Sequence, residues 1–268
     1  MMSKTLPRHR LSNGAAYQVA GEGEPVVLLH GVGLRAEAWA PQMEALSNGW
    51  RVYAFDLPGH GQSVASKTRA DLADYVAWMR DSLHRLDVGS VNIAGHSMGA
   101  LIALGTTVEE PGLVRRLAVL NGVYKRSTEA TEAVRERAAQ IRCGNMNIQQ
   151  PLDRWFTDMV GDQTARVWTE RMLAGVDHQG YSAAYSAFAQ GDDVYADSLA
   201  DIRCPALFLT GDGDPNSTVQ MAEDMATEVC DGETEIIEGH RHMVGLTAPA
   251  RVNNALVSWL KRVPHDQI

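Results

Sequence analysis

The stretch Val91-Asn92-Ile93-Ala94-Gly95-His96-Ser97-Met98-Gly99-Ala100-Leu101 narrows the folds open to this chain more than any other segment: an apolar run, then G-x-S-x-G, then a segment rich in Ala and Leu. An apolar run bounded by glycine reads as a buried strand, and the Ala/Leu segment as a helix packed against it. The serine between them must sit on a sharp strand-to-helix turn that lifts its hydroxyl clear of the sheet, a nucleophile elbow. Gly95 and Gly99 leave room for the two backbones to approach. At a helix start the unpaired backbone N–H groups favour developing negative charge. Ser97 is therefore predicted as a nucleophile and the Met98 N–H as an oxyanion donor.

The rest of the chain extends this alternation. Residues 15–20, 26–29 and 51–55 read as strands separated by turn-rich segments. Segments 36–46 and 72–86 carry apolar residues at helical spacing, the second at Leu72, Tyr75, Val76, Met79, Leu83 and Leu86. With 116–120 as a further strand, the first 120 residues imply a parallel sheet covered on both faces. From 121 to 198 the pattern turns helical, at 129–141, 152–160 and 163–173, and reads as a helical cap inserted into the sheet domain. The sheet resumes with strands at 204–210 and 233–237 around a helix at 218–229, and a helix at 249–262 closes the chain. The expected fold is α/β: a mostly parallel central sheet with helices on both faces, built from 1–120 and 199–268, with 121–198 as the cap.

A chain of 268 residues, 45% hydrophobic and 21% charged, suits one such domain with an insertion. No apolar run approaches the ~18 residues needed to span a bilayer, so no membrane partner is expected. The net charge of −9 argues against nucleic acid, which demands a clustered basic face. A small anionic substrate would instead need locally placed arginines. The three cysteines lack metal-ligand spacing and suit reduced thiols, and residues 1–14 lack the apolar core of a secretory signal. A cytoplasmic location is expected; nothing in the sequence sets an oligomeric state.

A serine hydroxyl is a weak nucleophile and needs an imidazole to take its proton and a carboxylate to orient that imidazole. Asp214 lies in the turn after an apolar strand and His242 in the loop after the next, giving the chain order Ser, Asp, His. Asp212 competes for the acid role, although an Asp there also suits a turn that bonds its own backbone. His240 competes with His242, which precedes the apolar Met243-Val244. His30, His60 and His96 read as structural. The loop His30-Gly31-Val32-Gly33 ends an early strand and offers the Val32 N–H as the second oxyanion donor. The run Asp56-Leu57-Pro58-Gly59-His60-Gly61-Gln62-Ser63 lacks the spacings of phosphate loops and reads as a shaped structural loop. No metal-ligand spacing is present, and neither metal nor cofactor is expected.

Together, His30-Gly31, the 56–63 run, Gly95-His96-Ser97-Met98-Gly99, Gly211-Asp212-Gly213-Asp214 and Gly239-His240-Arg241-His242 resemble the α/β-hydrolase superfamily over nearly the whole chain. That resemblance implies the α/β-hydrolase fold and selects Asp214 and His242 as the last residues of its G-x-x-D and G-x-x-H patterns. Arg154-Trp155-Phe156-Thr157 and Gly180-Tyr181-Ser182-Ala183-Ala184 are similar to the β-ketoadipate enol-lactone hydrolases. This implies hydrolysis of an ester or lactone bond in a small carboxylate-bearing substrate, as a 3-oxoadipate enol-lactonase does. A carboxylate would need a cation in the cap: Arg154 could supply a planar fork while Trp155 covers the ring, or Arg154 could be an exposed helix residue. Arg137 and Arg142 read as solvated helix face. Rival readings are a general carboxylesterase, a hydrolase of a C–N or C–C bond in a small carboxylate, and a ligand receptor on the same fold.

Overall fold

The computed structural model describes residues 6–65 and 70–263. Its strands are β1 (His9–Arg10), β2 (Ala16–Ala20), β3 (Glu24–Leu29), β4 (Trp50–Phe55), β5 (Val91–His96), β6 (Val114–Leu120), β7 (Ala206–Gly211) and β8 (Gly232–Ile237). They form one sheet in the order β1-β2-β4-β3-β5-β6-β7-β8. The β1–β2 and β2–β4 pairs are antiparallel and the remaining five pairs are parallel, with Leu29 opposite Gly95 and His96 opposite Leu120. Strands β5 and β7 are buried along their whole length, as a sheet covered on both faces requires.

The helices are α1 (Ala40–Leu46), α2 (Leu72–Leu86), α3 (Met98–Glu109), α4 (Thr128–Arg142), α5 (Gln149–Trp155), α6 (Gln163–Ala174), α7 (His178–Phe188), α8 (Val219–Glu228), α9 (Val244–Thr247) and α10 (Pro249–Leu260). Two cores flank the sheet. Met43 and Leu46 of α1 join Val252, Leu256 and Trp259 of α10 on one face. On the other, α2, α3 and α8 merge with the helices of the 128–188 excursion. Helix α2 begins at an Asp71–Asp74 capping box and stops at Asp87 in the left-handed region, φ 51°. None of the described helices is long and apolar enough to cross a membrane.

Two elements depart from the sequence reading. Helix α5 stops at Trp155 rather than running to 160, because Phe156 turns extended and Asp162 takes the Thr157 N–H and hydroxyl at 2.9 and 2.7 Å. Helix α7 adds a cap helix beyond the three segments named from the sequence. Asp177 caps it by accepting the Gly180 N–H at 2.8 Å.

Candidate active site

Ser97 joins β5 to α3 with φ 55° and ψ −115°, a backbone region that opposes a side chain. Its N–H donates to Leu120 O at 2.9 Å, which pins the turn to the neighbouring strand β6. A Cβ on Gly95 would stand 2.0 Å from Gly99 O, and one on Gly99 2.2 Å from Leu29 O. No larger residue fits either position, and the serine stands at the carboxyl end of β5 with α3 starting at Met98. The loop after β3 passes beside it, since a Cβ on Gly31 would lie 3.1 Å from Ser97 Cβ. The Gly33 N–H is taken by His60 Nε2 at 3.0 Å, and the Val32 amide falls between these two fixed points.

His242 and Asp214 meet at the ends of β7 and β8. Nδ1 of the histidine lies 2.6 Å from Asp214 Oδ2, and both side chains are buried. Nε2 is then the nitrogen available for proton transfer. Asp214 Oδ2 also accepts from Asn121 Nδ2 at 2.8 Å, and Oδ1 from the Asn216 N–H at 2.9 Å. Burial would push this carboxyl upward, yet His242 and the two donors hold it below the ordinary carboxylate value. The competitors are engaged elsewhere: Asp212 accepts the Gly239 N–H at 2.7 Å, and His240 Nδ1 meets Thr247 Oγ1 at 2.9 Å.

Three buried histidines wire the surrounding loops. His30 Nδ1–H donates to Gly31 O at 2.7 Å while Nε2 accepts the Leu57 N–H at 2.9 Å. His60 donates from Nδ1 to Pro58 O at 3.1 Å and accepts Gly33 through Nε2. His96 Nε2–H donates to the carbonyl of His242 at 2.8 Å. An accepting ring nitrogen carries no proton, so His30 and His60 are neutral by geometry. Burial lowers all three below the usual histidine value, and His96, which also faces His242, falls to about 3. Asp56 braces the same loop, accepting from Arg8 Nε at 2.7 Å, the Ala36 N–H at 2.8 Å and the Gln62 N–H at 2.9 Å.

The helical excursion brings its own side chains to this place. The Trp155 ring stacks on the His242 imidazole, centroids 5.5 Å apart and planes at 29°. Arg154 is half-buried, and its Nε is buried without a hydrogen-bond partner. Desolvation and the charge of Arg137 lower its pKa, against the pull of Tyr185 and Tyr181. Arg137 is thus not a solvated helix residue: its Nη1 donates to Tyr185 Oη at 3.1 Å, and it turns inward beside Arg154. Neither arginine pairs with a carboxylate among the described residues. The Tyr181 ring closes on the loop after β3, for a Cβ on Gly33 would come within 2.7 Å of its Cε2.

Sequence reasoning read Arg137 as solvated helix face and gave no role to Asn121 or Arg241. Arg241 Nη1 donates to Asp153 O at 3.0 Å and Phe156 O at 2.8 Å, either side of Arg154 and Trp155. Its place next to His242 was the one available signal. Asn121 and Arg137 carried none, because their partners lie far along the chain.

The model of the alpha/beta hydrolase family matches residues 26–255. The chain is 51% identical over 266 residues to the (E)-2-((N-methylformamido)methylene)succinate hydrolase of Acinetobacter baylyi, covering 98% of this chain and 100% of that protein. It is 28% identical to 3-oxoadipate enol-lactonase 1 of the same organism, over 89% of each chain. Among solved structures, the enol-lactonase from Burkholderia xenovorans superposes with a TM-score of 0.85 at 24% identity, over 96% of this chain and 100% of that one.

Proposed function

The chain belongs to the alpha/beta hydrolase family, and on that premise we propose that it is a serine hydrolase cleaving an acyl–nitrogen bond in a small dicarboxylate. The observation that carries the substrate class is the pair Arg154 and Arg137. Two arginines without carboxylate partners, one with a buried unbonded Nε, stand by Tyr181 and Tyr185, the first of which closes on the loop beside Ser97, and await anionic oxygens. The 51%-identical relative supports the same class, because its name specifies a formamido group on a succinate, which bears two carboxylates. A lactone of a carboxylic acid, the bond first expected from sequence, is the second reading, favoured by the 28%-identical enol-lactonase.

In this reading Ser97 Oγ attacks the acyl carbonyl while His242 Nε2 takes its proton, and Asp214 fixes the imidazole tautomer and balances the imidazolium. The oxyanion is received by the Val32 and Met98 N–H groups, each such donor being worth roughly 10²–10³ in rate. His242 then returns the proton to the leaving nitrogen as the C–N bond breaks. A water activated by the same imidazole cleaves the acyl-Ser97 ester, releasing the acid and restoring the hydroxyl. Trp155, stacked on that imidazole, restricts its rotation and shields it from solvent.

The test is turnover of 2-(formamidomethylene)succinate, a carboxylate-bearing enol-lactone and p-nitrophenyl acetate by the native protein, Ser97→Ala and Arg154→Ala. Ser97→Ala is expected to abolish turnover of all three and labelling by a fluorophosphonate. Arg154→Ala should raise KM for the enamide by about tenfold or more, the cost of losing a charge-assisted pair. A preference for the neutral ester, indifferent to Arg154, would overturn the dicarboxylate reading. An unlabelled native protein would favour a ligand receptor.

A further inference from the structure

We propose that Arg241 is a positioning residue for substrate selectivity: it fastens the carboxyl end of α5 to the loop bearing His242 and thereby sets where Arg154 and Trp155 stand. This rests on the anion-binding reading above. Helix α5 is short, and its last carbonyls lack intrahelical partners. Arg241 Nη1 takes Asp153 O in the last turn of α5 and Phe156 O just past its end, which bracket Arg154 and Trp155 in the chain. A guanidinium at a helix carboxyl end is also favoured by the helix dipole.

No other hydrogen bond among the described residues ties α5 to the sheet core. Its remaining side-chain bonds run to α6, from Gln149 to Glu170 at 2.7 Å and from Arg166 to Asp153 at 2.6 Å. The stem of Arg241 lies on the acid turn, where a Cβ on Gly213 would be 3.4 Å from its Cγ. One loop therefore grips the end of α5 with two adjacent residues: Arg241 by hydrogen bonds and His242 by stacking on Trp155. Arg154 has a buried Nε with no bond of its own, so its direction is set by the backbone that Arg241 holds. Loosening that backbone displaces the anchor from the reacting centre, and the loss falls on substrates that need the anchor.

The experiment is steady-state kinetics on 2-(formamidomethylene)succinate and p-nitrophenyl acetate, for the native protein, Arg241→Ala, Arg241→Lys, Arg154→Ala and the double alanine variant. Arg241→Ala is expected to lower the ratio of anionic to neutral kcat/KM about tenfold, mainly through KM of the anion. Arg241→Lys, which keeps a donor for the two carbonyls, should recover part of it and carries the test if the alanine variant does not fold. The double variant should lose no more selectivity than Arg154→Ala alone. Equal falls for both substrates would make Arg241 a support of the base loop in general and overturn the proposal. Additive losses would mean that Arg241 touches the substrate itself and overturn it equally. If Arg154→Ala leaves the anion's KM unchanged, the anchor reading itself fails, and this inference with it.

Discussion

Asn121 shows how much a single residue can hold without belonging to a motif. It ends β6 with φ 47°, fully buried, and its Nδ2 donates both to Asp214 Oδ2 at 2.8 Å and to Thr210 Oγ1 at 3.2 Å. Ser217 Oγ in turn donates to its carbonyl at 2.7 Å, so it ties the acid turn to the neighbouring strand end. Asn tolerates the left-handed region better than most residues, which reconciles the backbone with the donor. Two substitutions separate these duties. Asn121→Ala should lower kcat about tenfold and destabilise by about 1–3 kcal/mol, through the lost bond to a charged acceptor and the strained φ. Asn121→Gly relieves the strain but restores no donor, so thermal denaturation should recover more than kcat does; equal recovery of both would assign Asn121 a purely structural role. Ser97, Asp214 and His242 could be proposed from the sequence because the elbow pattern, the chain order and the G-x-x-D and G-x-x-H patterns of the resemblance point to them. Asn121 could not, because its meaning lies in a partner 93 residues away.

At the scale of elements, the contact between the 56–63 loop and α7 explains two glycines. Gly59 has φ 75°, and a Cβ on it would lie 2.6 Å from Gly180 Cα. A Cβ on Gly180 would lie 2.1 Å from Gly59 O. The same loop supplies His60 to the Gly33 amide, and α7 supplies Tyr181 to the Gly33 surface, so their contact fixes the loop beside Ser97 from above. Helix propensity alone predicts that Gly180→Ala stabilises by about 1 kcal/mol. The contact predicts the opposite sign, a loss of about 1–3 kcal/mol by overpacking, with a raised KM for the anionic substrate as Tyr181 shifts. Chemical denaturation decides between them, and a stabilised variant would remove the contact from the argument. The need for glycine at 180 comes from this distant backbone and not from its neighbours in sequence. Helix α2 was legible because everything that defines it is local, a capping box, an apolar stripe and a left-handed stop.

Over the whole molecule, a mostly parallel sheet was readable from alternating strands and helices, whereas its strand order β4-β3-β5-β6-β7-β8 and the convergence of histidines were not. His30, His60 and His96 arrive from three strand ends or loops, and only the folded sheet places them around one site. Their burial carries a cost in acid. Each of these buried rings has a folded pKa below the ordinary value near 6.5, so the stability of the native state is fully present above that pH. As pH falls below about 6.5, the unfolded chain binds protons that the folded chain refuses, and stability drops by up to about 1.4 kcal/mol per pH unit for each histidine. For His96 the loss continues down to about 3, where the folded ring itself protonates. Asp214, held below its ordinary value, adds its loss once pH falls below about 3.8, where the unfolded carboxylate begins to protonate. All three rings act in the same direction, against a total stability on the order of 5–15 kcal/mol. The urea midpoint should therefore fall as pH drops from 6.5 to 4.5. His96→Asn removes one titrating ring, so its midpoint should start lower at neutral pH but decline with a shallower slope. A slope equal to that of the native protein would show that His96 protonates in the folded state without penalty, and that neutral wiring does not govern acid stability.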